Sequence, residues 1–121
     1  LVASNGQFKQ GEPFAFSLTY LRDFDGKDIA SYSVDEMRKL GMVDEMKLAK
    51  WYQTMLEIFP DVKEGETITG IVDQEKSSHF FVGDQLLGLV HDEEFSVWFF
   101  SIWLSERTSE PEMRKKLLGM Q

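Results

Sequence analysis

The sequence of 121 residues contains no cysteine, so it can form neither a disulfide nor a thiolate site, which leaves its redox compartment open. Only two histidines occur, His79 and His91. No apolar run approaches the ~20 residues that a helix needs to cross a bilayer. Positive charge is scarce: 13 Lys and Arg stand against 21 Asp and Glu, a formal net charge of −8. A surface of that sign repels phosphate backbones and argues against nucleic acid as a partner. It also offers no basic amphipathic helix to an anionic membrane. Gly-rich phosphate loops, the GxSxG elbow and HExxH are absent, as are repeats, low-complexity tracts and linkers. No methionine opens the chain. It begins Leu1-Val2-Ala3, which reads as the tail of a strand, so the expectation is that residues before Leu1 are missing. A leader segment would be missing with them.

What is present points to one folded domain over residues 1–121. A hydrophobic content of 42% with 13% aromatics is far from the composition of a disordered segment. The densest stretch is Asp92 to Leu104, DEEFSVWFFSIWL. Asp92 suits a helix N-cap, and Glu93 and Glu94 place negative charge at the positive end of the dipole. Phe95, Trp98, Phe99 and Ile102 then share one face, Val97, Phe100 and Leu104 another, with Trp103 near the seam. A helix apolar almost all round should be buried on most sides. Its five aromatic side chains would remove about 1,000 Å² from water, each contributing ~150–250 Å². This helix is therefore expected to form the floor of any binding site or the pillar beneath it.

The rest of the chain supplies a sheet and further helices. Leu1 to Ala3 reads as a strand remnant and Ser4 to Gly11 as a polar turn region. Phe14 to Leu21 alternates, with Phe14, Phe16, Leu18 and Tyr20 on one side, which predicts a half-buried strand. Asp25-Gly26 is a turn signal. Ser33 to Glu36 fits a capping box and predicts a short helix from Val34 to about Leu40, stopped at Gly41. Asp44 opens a longer helix whose inner face is Leu48, Trp51, Tyr52, Met55, Leu56 and Phe59, ended by Pro60. Glu66 to Val72, Ser78 to Val82 and Gln85 to Val90 predict a three-strand meander, its last turn at Gly83-Asp84. Ser109-Glu110-Pro111-Glu112 resembles another capping box, followed by a short helix with Met113, Leu117 and Leu118 inward and Gly119 as its stop. The fold class that follows is α+β: an antiparallel sheet with a layer of helices on one face, incomplete at the N-terminus.

Few residues offer chemistry. His91-Asp92-Glu93-Glu94 are consecutive, and four consecutive residues rarely converge on one ion; a helix start explains them, and no metal or other cofactor is indicated. The spacing of Asp23, Asp25 and Asp28 fails the EF-hand pattern. Arg22, at the end of the aromatic-lined strand, could meet an anion or simply pair at the surface. Ser101, a polar exception in the aromatic helix, could point its hydroxyl into a cavity or bond its own helix carbonyl. The six methionines suit an adaptable apolar lining and equally well fill core gaps.

The segments TYLRDFDGKDIA (19–30), LAKWYQTMLEIFPDVKEGETITG (48–70), VGDQLLGLVHDEEFSVWFFSIWL (82–104) and SEPEMRKKLLG (109–119) together resemble the bacterial chalcone isomerase-like family. The resemblance covers nearly the whole chain. It implies a large antiparallel sheet under a layer of helices with a ligand cleft between them. Plant enzymes of this fold close a flavanone ring by intramolecular conjugate addition. They use an Arg and a Thr on strands earlier than Phe14 to Leu21, and a Tyr and an Asn seven residues apart on the following helix. Here Tyr32 is followed seven residues later by Lys39, so that pair is absent. Ser101 falls on the Ser/Thr position of the late helix. The implied function is thus a non-catalytic domain that binds a fatty acid or similar apolar molecule, since non-catalytic relatives of the fold bind fatty acids. The alternative is an isomerase or lyase of chalcone isomerase type. No catalytic residue is assigned; the expected ligand-binding residues are Ser101, Trp98, Phe99, Tyr20 and Arg22. A third reading is a structural domain with a sealed core, favoured if no cavity beside Ser101 reaches ~300 Å³. The resemblance further implies a periplasmic or secreted protein.

Overall fold

The computed structural model describes residues 2–7, 14–105 and 107–117. Leu1, Gly11, Leu118 and Gly119, which the sequence reading placed in a strand, a turn and the last helix, lie outside them. So do the side chains of Phe14, Phe16, Met113 and Leu117. In chain order the elements are β1 (Val2–Gln7), β2 (Phe14–Tyr20), α1 (Gly26–Lys39), α2 (Glu45–Ile58), β3 (Thr67–Val72), β4 (Ser78–Val82), β5 (Gln85–Val90), α3 (Glu93–Leu104) and α4 (Pro111–Leu117). The five strands pair in the order β1-β2-β3-β4-β5, each antiparallel to its neighbour. The architecture is α+β, with the helices over one face of the sheet.

Period-two patterning sets which face that is. Leu18 and Tyr20 of β2 and Ile68 and Val72 of β3 are buried under the helices. Ser17 and Thr19 point the other way, and their hydroxyls meet those of Thr69 and Thr67 at 2.8 Å each. Such cross-strand hydroxyl pairs reinforce the register that the hydrophobic face already dictates. β1 is longer than the sequence suggested: Ser4 to Gln7, read as the beginning of a turn, continue the strand and pair with Leu18 to Ala15.

The helical layer is held at two capped ends. Asp44 Oδ1 accepts from the Lys47 amide at 3.2 Å, as its place before α2 predicts. Asp92 does two jobs. Its Oδ1 accepts from the Phe95 amide at 3.2 Å, and its Oδ2 accepts from Trp51 Nε1 at 3.1 Å, which ties α2 to the start of α3. From there Phe95, Phe99 and Phe100 pack on Phe80 of β4. Gly70 of β3 leaves room for Phe100: a Cβ at this position would stand 3.0 Å from the Phe100 ring.

The structure corrects the sequence reading at several places. α1 starts at Gly26, eight residues before the predicted start at Val34. Ser33 is therefore no cap. It sits inside the helix and donates its hydroxyl to the Ile29 carbonyl at 2.8 Å. The Gly26 amide donates to Asp61 Oδ1 at 2.8 Å, so the first turn is capped from across the fold. The expected stop holds, with Gly41 at φ 110°. Leu56 and Val97, placed on inner faces, are exposed, as their turns of α2 and α3 look outward. α4 begins at Pro111, which puts Glu110 rather than Ser109 at its threshold.

Candidate functional site

Between the helices and the sheet lies an almost wholly apolar cavity of about 60 Å³. Its sheet side is formed by Leu18 and Tyr20 of β2, Ile68 and Gly70 of β3 and Phe80 of β4. Ile29, Tyr32 and Ser33 of α1 and Phe99 and Trp103 of α3 face them across it. Phe24 and Phe59, at the two ends of the helical insertion, complete the wall. Among the described residues, the charged ones on it are Asp28 and Glu110. The local reasons are those of the fold. β2 turns Leu18 and Tyr20 inward, while α1 presents two residues per turn and α3 one per turn to the same gap.

One end of the cavity is polar. Tyr32 and Trp103 stack at 6.0 Å between ring centroids. The Tyr32 hydroxyl lies 3.2 Å from Glu110 Oε1 and 3.4 Å from Glu36 Oε1, and donates toward this carboxylate pair. Glu36 is itself buried and holds Lys39 Nζ at 3.0 Å. Burial first, and then the negative charges of Glu36 and Glu110, push the Tyr32 phenol well above its ordinary range. Burial alone pushes Tyr20, also on the lining, up to about 12. Neither ring is disposed to become a phenolate.

The raised tyrosine gives a pH prediction. Tyr20 titrates near 10.0 when exposed and about 12 when folded, so burial resists only its ionised form. Its contribution is intact below pH 10 and is lost as pH climbs from 10 toward 12, a loss on the order of 3 kcal/mol. Urea unfolding at pH 8 and pH 11 should show about half of that drop from Tyr20, roughly 1.4 kcal/mol. In Tyr20→Phe the drop should shrink, leaving the part that Tyr32 contributes.

Of the residues expected from the sequence to bind a ligand, Tyr20 and Phe99 line the cavity together. Arg22 is exposed beside it, its guanidinium 4.3 Å from the centroid of the Phe24 ring. Trp98 is half-buried and takes no part in the lining. Ser101 donates its hydroxyl to the Val97 carbonyl at 2.6 Å, within its own helix, and does not line the cavity either. Trp103 and Glu110 line the cavity and are not among the ligand-binding residues expected from the sequence. Trp103 carried a signal in the aromatic pattern of α3; Glu110 carried none, because it reaches Tyr32 from 78 positions away.

A second depression of about 380 Å³ separates α1 from α2. Exposed ion pairs of Arg38 with Asp35 and Glu45 line it, so it is a wet surface groove rather than an apolar site. His91 is exposed and its Nδ1 bonds the Ser77 hydroxyl. Among the described residues no group of three His, Cys, Asp or Glu is placed to hold a metal ion, and no helix is long and apolar enough to cross a membrane.

The arrangement of sheet, helices and cavity has counterparts. A family model described as chalcone isomerase-like matches residues 4–119. Among solved structures, the crystal structure of a fatty-acid binding protein from Arabidopsis thaliana is similar, with a TM-score of 0.65 and 13% sequence identity. The similarity covers 86% of this chain and 54% of that one, so the chain spans about half the length of that relative. At this identity the likeness speaks for the fold alone. No curated protein matches the chain in sequence. With the family pattern running through β2, both helical pairs and the β3-β4-β5 meander, the chain belongs to the chalcone isomerase-like family.

Proposed function

We propose that this domain is a non-catalytic binder of apolar small molecules, taking the hydrocarbon part of a fatty acid or similar chain between helices and sheet. The observation that carries this reading is the apolar cavity itself, walled by α1 and α3 on one side and β2, β3 and β4 on the other. The character of its polar groups supports it. A ring closure through a phenolate and an enolate needs donors or cations preorganised around developing negative charge. This cavity instead presents two carboxylates and two tyrosines that burial holds in the phenol form. The similarity to a protein that binds fatty acids is a further, weaker support.

A second reading, a structural domain with a closed core, is favoured by the size of the cavity. About 60 Å³ is well below the ~300–1,000 Å³ of ordinary small-molecule pockets. Binding a chain therefore requires the helical layer to lift off the sheet. The two readings separate by native mass spectrometry and thermal unfolding with decanoic to octadecanoic acids and their esters. A one-to-one adduct together with a rise in Tm supports the binding reading. The absence of both across the series, at saturating ligand, overturns it and leaves the closed core.

A further inference from the structure

Trp103 Nε1 is a buried donor with no hydrogen-bond partner among the described residues. The side chain is only 6% exposed, and Trp103 lines the apolar cavity. An indole N–H can donate and cannot accept, so what it lacks is an acceptor. A buried donor left without one destabilises the fold, and few native structures tolerate it without a reason. The phenol stacked on it does not relieve it. Tyr32, stacked on the same indole, directs its hydroxyl toward Glu110 and Glu36.

Among the described residues, the charged groups on the lining have one sign. From α1 come Asp28 and, behind Tyr32, Glu36; from the segment before α4 comes Glu110. Lys39 is committed to Glu36, and Arg114 reaches the Leu104 carbonyl through Nε at 2.9 Å. β2, β3 and β4 contribute no cation to the lining, and Arg22 lies exposed on the Phe24 ring. A carboxylate anion brought here would lose its water and face like charges without a counter-ion. A neutral acceptor would meet neither penalty.

We propose that the cleft selects chains whose polar end is an uncharged hydrogen-bond acceptor (an ester, ketone, aldehyde or undissociated acid) held by Trp103 Nε1, and disfavours the same chain ending in a carboxylate anion. The inference rests on the binding reading above and names the head group that reading leaves open.

Three probes of one chain length test it: methyl decanoate, decanoate and decane, titrated by calorimetry and by the indole N–H resonances of the labelled protein. At pH 8 methyl decanoate should bind at least tenfold more tightly than decanoate. The gap should close as pH falls into the carboxylic-acid range of about 4–5, where the acid becomes neutral. The ester should displace the Trp103 indole resonance, and decane should leave it near its free position. Trp103→Phe should weaken the ester roughly 3–10-fold and spare decane, the range expected for one neutral hydrogen bond. Should this variant fail to fold, the indole shift in the unaltered protein and the gain in decanoate affinity expected of Glu110→Gln decide the matter. Decanoate binding as tightly as the ester at pH 8, or an ester that leaves the Trp103 resonance unmoved, overturns the head-group assignment while the binding reading stands. Failure of all three probes, decane included, overturns both.

Discussion

Replacing Phe80 with alanine is expected to lower stability by about 3–5 kcal/mol, the range for truncating a fully buried phenylalanine. Phe80 is 1% exposed and stands where the sheet meets the helical layer. Its ring lies 5.0 Å from Phe59, 5.1 Å from Phe99, 6.4 Å from Phe95 and 6.3 Å from Phe100, centroid to centroid. Truncation leaves a void that four rigid rings cannot close by rotation, so both the transfer and the cavity contributions apply. A fall in Tm of roughly 10–20 °C should accompany it. Phe81→Ala is the control. Phe81 is the next residue on β4, half-buried and on the opposite face, and its loss should remove no more than about 1 kcal/mol. The same void joins the cavity that Phe80 lines. An apolar ligand at a hundred times its Kd should return about 2.7 kcal/mol to the variant. Urea unfolding with and without methyl decanoate measures both effects.

Gly26→Ala should be nearly as damaging, against the usual sign for this exchange. In a helix alanine is ordinarily the better residue by about 1 kcal/mol. At Gly26 a Cβ would lie 2.2 Å from the Phe59 carbonyl oxygen and 3.1 Å from the Phe59 and Pro60 carbonyl carbons. All three are backbone atoms, so no side-chain rotation can relieve the clash. Either the start of α1 or the end of α2 must move, at a cost of about 3 kcal/mol or more. Asp61→Ala provides the comparison. It removes only the 2.8 Å bond to the Gly26 amide and should cost about 1 kcal/mol, as other capping losses do. Equal effects of the two substitutions would mean that the bond, not the close approach, matters at this corner.

Much of the fold was legible because it rests on short-range rules. The β4-β5 hairpin, the start of α2 at Asp44 and the start of α3 at Asp92 each depend on residues within four positions of one another. α1 was misread because two local signals, Asp25-Gly26 as a turn and Ser33 with Glu36 as a capping box, competed with a helical period already running through Ile29, Ala30, Ser33, Val34 and Met37. All five of these are buried, and that burial decided the outcome. The partner that caps the helix, Asp61, lies 35 residues on and leaves no local trace. The site divides in the same way. Tyr20 and Phe99 followed from the alternation of β2 and the aromatic face of α3. Ser101 did not reach the cavity because its hydroxyl is satisfied within one turn of its own helix. The polar end, Tyr32 with Trp103 and Glu110, is assembled from three elements, and only folding brings them together.

The pairing of β2 with β3 spans residues 21–66, whereas β4 and β5 are joined through Gly83-Asp84 alone. Bringing distant segments together carries an entropic toll that rises with the logarithm of the intervening length, about 0.6 kcal/mol for every doubling. The seam that is most dearly zipped therefore runs between Leu18 and Tyr20 on one lip and Ile68 and Gly70 on the other, directly beneath the cavity. Among the contacts that hold that long excursion at its base are the Phe24–Val62 bridge, the Gly26–Asp61 bond and the bond from the Glu64 amide to Asp23. Whatever loosens them would be felt at the hollow before it reached the outer strands of the meander.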